Sequence, residues 1–121
     1  MGTALEVVDR FYETTDRHDA DGIAPLLAED MTFQGPLATT EGSEAYVELN
    51  RQLLGFHAAT RMRERFEDGD RVCSIYEMDL NTPAGGLITV EMADVITVTD
   101  GRISSQRIYY DPRSFERAFG V

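Results

Sequence analysis

Residues 87–111 read LITVEMADVITVTDGRISSQRIYYD, and the alternation in this stretch sets the fold. Val, Ile and Thr dominate Leu87 to Thr99, and successive side chains of an extended chain point to opposite faces. One face then carries Ile88, Val90, Met92, Asp94, Ile96 and Val98; the other carries Leu87, Thr89, Glu91, Ala93, Val95 and Thr97. Asp100-Gly101 is the strongest hairpin signal in the chain. Arg102 to Asp111 therefore returns as the last strand, antiparallel to the first.

Working back toward the N-terminus, Pro83-Ala84-Gly85-Gly86 is a loop, Arg71 to Leu80 a strand, Asp68-Gly69-Asp70 a turn and Arg61 to Phe66 another strand. Before residue 55 the period changes from two to that of a helix. Thr3 and Glu6 form a capping box for a first helix over about residues 4–16, with Leu5, Val8, Phe11, Tyr12 and Thr15 at helical spacing. Asp21 can cap a short second helix carrying Ile23, Leu26 and Leu27. Pro25 sits in its first turn, where its missing donor costs little, and Glu29-Asp30 ends it. Met31 to Gly35 alternates as a strand and Gly35-Pro36 breaks it. Ser43 can cap a third helix that places Tyr46, Leu49, Leu53 and Leu54 on one face and ends at Gly55. Asp111-Pro112 starts a C-terminal helical turn packing Phe115, Ala118 and Phe119. Helices on one side of a curved antiparallel sheet make an α+β fold, and the length of 121 residues favours one domain over 1–121.

Composition excludes several function classes. The net charge of −11 makes nucleic acid and anionic membrane poor partners, because phosphate binding relies on clustered Lys and Arg. No apolar run is long enough to span a bilayer. Met1 to Arg10 lacks a basic segment followed by an apolar one, so no signal peptide is expected and the cytoplasm is the default compartment. Cys73, the single cysteine, rules out an internal disulfide framework and reads as a half-buried strand residue. Two histidines without H-x-x-x-H or C-x-x-C spacing argue against zinc, and no glycine-rich phosphate loop or G-x-S-x-G is present. No metal and no cofactor is expected.

Asp94 stands out because it is the one polar residue on an otherwise apolar strand face. Desolvation there should raise its pKa and favour the neutral acid, which can donate a hydrogen bond. It is either a structural acid satisfied by its neighbours or a polar group that orients a ligand in an apolar pocket. Neighbouring strands present Val72, Ser74, Tyr76, Met78 and Leu80; Ser104, Gln106, Ile108 and Tyr110; and Met31, Phe33 and Gly35. With Phe11 or Tyr12 and Leu49 or Leu53 from the helices, these would enclose a mainly apolar cavity. The substrate-binding set is thus Phe11, Tyr12, Phe33, Leu53, Tyr76, Met78, Met92, Gln106, Ile108 and Tyr110, with Asp94 as the catalytic candidate. His18, beside Asp19 in a polar turn, reads as solvated surface. His57 reads as a terminal cation on the third helix, or as a base. Glu77 and Asp79 share a strand face turned to solvent or to a partner subunit.

Phe11-Tyr12, His18-Asp19 through Leu27-Ala28-Glu29-Asp30, and Phe33-Gln34-Gly35-Pro36 resemble the opening of the SnoaL-like and ketosteroid-isomerase-like branch of the nuclear-transport-factor-2-like superfamily. Thr82-Pro83-Ala84-Gly85, Ala93-Asp94-Val95, Asp100-Gly101-Arg102-Ile103 and Tyr109-Tyr110-Asp111-Pro112 resemble its second half. The resemblance implies a cone of helices closed over a curved sheet with a pocket inside. It also implies a homodimer through the outer sheet face, covering Leu87, Val95, Ile75 and Tyr109. Asp94 falls where ketosteroid isomerases carry a protonated Asp that donates to an enolate oxygen. Phe11 stands at their oxyanion tyrosine and Gly35 at their general-base Asp. Ile108 replaces the acid that activates water in limonene-type epoxide hydrolases; Asp79 aligns with another of their carboxylates, and Glu77 stands where they have arginine.

Three functions compete on this reading. The first is an isomerase, cyclase or lyase acting on an apolar carbonyl compound, with Asp94 as donor or acid, Tyr12, Tyr76 or Tyr110 helping, and His57 or a water on Gln106 as base. The second is a non-catalytic binder of an apolar small molecule, and the third a scaffold dimer. The fold alone does not choose among them.

Overall fold

The computed structural model describes residues 3–121; Met1 and Gly2, where the leader reading begins, lie outside the described residues. Helix α1 (Ala4–Asp16) is capped as the sequence predicts, with Thr3 Oγ1 accepting from the Glu6 amide at 3.2 Å. Helix α2 (Ala20–Ile23) starts earlier than expected and is capped by Asp19, not Asp21: Asp19 Oδ1 accepts from the Gly22 amide at 3.0 Å. A 3₁₀ turn over Ala24–Leu26 takes up Pro25, and strand β1 (Leu27–Gln34) follows at once, so Glu29-Asp30 lies in a strand rather than at a helix end.

A short strand β2 (Thr39–Glu41), too brief to show a period, folds back on β1. Helix α3 (Ser43–Leu54) has Gly42 at its N-cap with φ 88°, a left-handed conformation that glycine adopts without strain, and receives no side-chain cap from Ser43. Strands β3 (His57–Asp68), β4 (Arg71–Asn81), β5 (Leu87–Thr99) and β6 (Arg102–Tyr109) complete the sheet. Asp111 caps helix α4 (Pro112–Phe119), accepting from the Arg113 amide at 3.0 Å.

The six strands form one curved, open sheet in the order β2-β1-β6-β5-β4-β3. All pairs are antiparallel except β1 beside β6. Strand β3 runs farther than its pattern suggested. Its register against β4 slips at Ala58 and at Arg63, and each extra residue resets the alternation that a period-two reading depends on.

The helices cover one face of the sheet, and that face holds the core. The larger cluster joins Val7, Val8 and Phe11 of α1, Ile23, Met31 and Tyr46 to Val72, Ile96 and Ile103 of the sheet. A second cluster of Tyr76, Leu80, Val90 and Met92 is ringed by half-buried Leu53, Phe56, Met78, Ile88, Ile108, Tyr110, Phe115 and Phe119. Tyr12 packs against both clusters. The opposite sheet face is open, with Leu87 and Tyr109 each more than half exposed.

Candidate functional site

Asp94 lies in mid-strand on β5, opposite Ser74 of β4 and Ile108 of β6. Its inward residues alternate as the sequence indicated, and Asp94 is 0% exposed. Diagonal neighbours in a sheet lie within reach of long side chains. Tyr76 pairs with Met92 and Gln106 with Ile96, which puts both on diagonals from Asp94. Tyr76 Oη donates to Asp94 Oδ2 at 3.0 Å, and Gln106 Nε2 donates to the same oxygen at 3.0 Å. From the helical layer, Tyr12 Oη donates across both carboxylate oxygens, 2.7 Å from Oδ1 and 2.6 Å from Oδ2.

Gln106 reaches this position through a bulge. Between β5 and β6 the register moves from Thr97 opposite Ser105 to Val98 opposite Ile103, leaving Ser104 as the extra residue. Ile103 and Gln106 are therefore both buried. Ser104, expected on the inner face, instead turns its hydroxyl to the Thr97 carbonyl and to Thr99.

Tyr46 and Arg65 hold the groups that bond Asp94. Tyr46 Oη on α3 donates to Gln106 Oε1 at 2.5 Å. Arg65, on edge strand β3, places its guanidinium 5.5 Å from the Tyr12 ring centre, donates to Ser74 Oγ at 3.3 Å and pairs with Asp9 of α1. Sequence reasoning put Tyr46 and Ser74 on inward faces without assigning them to the site, and passed over Arg65. A hydroxyl-bearing ring on the apolar face of α3 was the available signal for Tyr46. No such signal marked Arg65, because the slip at Arg63 hides which way its side chain points.

Burial pushes the Asp94 carboxyl up to about 6, opposed by the bonds from Tyr12, Tyr76 and Gln106 and by the Arg65 charge. A raised value was expected. The three bonds from Tyr12, Tyr76 and Gln106 favour the ionised acceptor and work against the neutral donor that burial favours. Burial, then the Asp94 charge, holds the Tyr12 and Tyr76 hydroxyls protonated far above the usual phenol range.

The remaining predicted residues fall into two groups. Phe11 and Phe33 pack around Tyr46, with ring centres 6.3 and 5.6 Å from it, and belong to the larger core. Leu53, Met78, Met92, Ile108 and Tyr110 line the second cluster next to Tyr76. Helix α4 lies over this cluster through Phe115 and Phe119, stacked at 4.6 Å, with Phe119 4.9 Å from Phe56.

The two histidines are elsewhere. His57 starts β3 opposite Leu80, six residues along β4 from Ser74, roughly 20 Å at the rise of a strand. His57 is buried, and its Nδ1 lies 2.9 Å from Nε2 of His18, which is exposed at the surface as the sequence indicates. His57 therefore does not converge on Asp94. Glu77 and Asp79 do share a face, but they are tied by arginines of β3: Arg61 bonds both carboxylates and Arg63 bonds Glu77. At Gly35 a Cβ would meet Ile108 Cγ2 at 3.0 Å and the Phe33 ring at 3.2 Å, so the neighbours fill the space of a side chain there.

Two shallow hollows, of about 220 and 320 Å³, lie against α3 near Glu48 and Arg51 and beside His18 and Gly55; Asp94 lines neither. Among the described residues no group of three or more His, Cys, Asp and Glu is placed to hold a metal ion, and no helix is long and apolar enough to cross a membrane.

The family profile of the SnoaL-like domain matches residues 8–106, a span from the first helix to the inward amide of Gln106. The chain belongs to the SnoaL-like domain family. Solved structures agree on the architecture of this SnoaL-like chain. An NTF2-like protein of unknown function from Cytophaga hutchinsonii superposes with a TM-score of 0.82 at 28% identity, over 95% of this chain and 96% of that one. A protein described as a SnoaL-like polyketide cyclase from Jannaschia sp. gives 0.83 at 16% identity, over 98% and 92%. A protein with a ketosteroid isomerase-like fold from Catenulispora acidiphila, in complex with trimethylamine, gives 0.80 at 19%, over 96% and 93%. At the last two identities the likeness shows the fold alone. No curated protein matches the sequence.

Proposed function

We propose that this SnoaL-like domain acts on an apolar small molecule bearing a carbonyl-type oxygen, by proton transfer of the isomerase, cyclase or lyase kind. The observation that carries the reading is the convergence of Tyr12, Tyr76 and Gln106 on a fully buried Asp94 beside a buried apolar cluster with a half-buried rim. Apolar walls with a few converging polar groups are the usual make-up of a small-molecule site. In this scheme the ligand's rings or chains lie among Leu53, Met78, Met92, Ile108 and Tyr110, and its oxygen takes over the hydrogen bond that Tyr12 or Tyr76 gives Asp94 in the ligand-free chain. Asp94, with a pKa raised to about 6, accepts a proton as the carboxylate and returns it as the acid. Two copies associate through the outer sheet face, which would cover Leu87 and Tyr109.

Deuterium uptake from D₂O at the α-carbon of 2-tetralone tests the chemistry. The native chain should catalyse uptake, and Asp94→Asn should lose about 100-fold or more of that rate. Equal rates in both would remove Asp94 from the reaction. A fluorescent naphthol, titrated at pH 5 and pH 8, tests occupancy separately: affinity should change with pH in the native chain and not in Asp94→Asn.

A second reading, a non-catalytic binder, is favoured by Gly35, whose filled surroundings leave no carboxylate at that position. Saturable naphthol binding without deuterium uptake is the outcome it requires.

A further inference from the structure

Tyr46 reaches Asp94 through Gln106: its hydroxyl donates to Gln106 Oε1, and Gln106 Nε2 donates to Asp94 Oδ2. A primary amide presents an oxygen at one end and an NH₂ at the other, and a half-turn exchanges them. Gln106 bridges two partners, Tyr46 at Oε1 and Asp94 at Nε2, and both ends are buried. We propose that Tyr46 is a positioning residue for Asp94: by donating to Gln106 Oε1 it fixes the amide with Nε2 toward the carboxylate. This deepens the reading of Asp94 as the proton-handling group and rests on it for its functional consequence.

Three features of the geometry support the assignment. The Tyr46 ring is 2% exposed and clamped between Phe11 and Phe33, so its hydroxyl has little freedom to swing away. Asn50, one turn on, bonds the Tyr46 backbone carbonyl at 3.0 Å and steadies the same turn of α3. The backbone of Gln106 is held by pairing with Ile96 on one side and Phe33 on the other, so the side chain responds by turning its amide rather than by leaving. Burial raises the Tyr46 hydroxyl's pKa far above the usual phenol range, which keeps it a donor at every working pH.

Without the Tyr46 hydroxyl, Oε1 would face hydrocarbon at a cost in desolvation. Turning the amide relieves that cost only if Oε1 then meets a donor, and protonated Asp94 is the donor available. Amide orientation and Asp94 protonation are thereby linked. The ionisable and charged groups facing Asp94 are Tyr12 from α1, Tyr76 from β4, Arg65 from β3 and, through Gln106, Tyr46 from α3. Tyr46 acts on the carboxylate through the Gln106 amide.

The test is a ¹³C-carboxyl NMR titration of Asp94 in the ligand-free full chain, its signal assigned with Asp94→Asn. Tyr46→Phe should raise the Asp94 midpoint by about one pH unit, a tenfold gain in proton affinity. Gln106→Leu should raise it too, and the double substitution should move it no further than Gln106→Leu alone, because both act through one amide. An unchanged midpoint in Tyr46→Phe, or additive shifts in the double substitution, would overturn the proposal. The native chain offers a check free of folding effects. The Gln106 side-chain NH₂ resonances should follow the Asp94 titration, and if they do not, Nε2 does not face the carboxylate. No ligand enters these measurements, so their outcome is independent of the naphthol and tetralone results.

Discussion

Tyr12 Oη sits nearly equidistant from the two carboxylate oxygens of Asp94, at 2.7 and 2.6 Å, and so ties the first helix to the middle strand of the sheet. The residues are 82 positions apart in the chain. This bond is the point where the helical layer meets the polar centre of the concave face, and it links the folding of the domain to the protonation of one carboxyl.

That link has a sign. Asp94 has a folded pKa of about 6 against an ordinary value of 3.8. The folded state therefore binds a proton more tightly than the unfolded chain. The stability this contributes is complete below the unfolded value and is lost as pH rises through about 6. The shift, roughly two pH units, corresponds to on the order of 3 kcal/mol. Urea unfolding of the native chain and Asp94→Asn, measured from pH 4 to pH 8, should show the native chain losing stability relative to the variant as pH rises. A difference independent of pH would contradict the shift.

The histidine pair works in the opposite direction. Burial, then the neighbouring charge of His18, lowers the His57 pKa from 6.5, against pulls from Asp16 and Asp79. The associated stability is present above the unfolded value and is lost as pH falls through the lowered one. Imidazole proton NMR should find His57 titrating below its ordinary value, and His18→Ala should move it upward. A His57 that titrates alike in both chains would show that the 2.9 Å contact with His18 exerts no electrostatic effect.

At Gly35 the expectation is steric. Gly35→Asp would put a carboxylate where the resemblance expects a base, but its Cβ meets Ile108 and Phe33 at 3.0 and 3.2 Å. Overpacking of this kind typically costs about 1–3 kcal/mol. Thermal unfolding should show Gly35→Asp destabilised, with Ile108→Ala restoring part of the loss. A Gly35→Asp chain as stable as the native one would mean that these neighbours yield freely.

Much of this was legible in the residues because local pattern carried it. Leu87–Thr99 is uniformly β-prone, lies between a loop and Asp-Gly, and forms β5 with those bounds. Its period of two sets Asp94 inward without reference to the rest of the fold. The same rule failed wherever one extra residue entered a strand. Ser104 left the inner face through a bulge, and the slips at Ala58 and Arg63 hid both the start of β3 and the direction of Arg65. The partners of Asp94 could be narrowed to faces but not to bonds. Whether Phe11 or Tyr12 reaches it depends on the rotation of α1, which tertiary packing sets. Here Tyr12 reaches it, and Phe11 stays in the core.

A crystal structure of the native chain with a naphthol bound would test the central claim most directly. The hydroxyl should lie within hydrogen-bonding distance of Tyr12, Tyr76 or Asp94, with the rings among Leu53, Met78, Met92 and Ile108. A naphthol seated in the hollows beside Arg51 instead, with the Asp94 cluster closed and unchanged, would contradict the account and leave Asp94 as a structural acid.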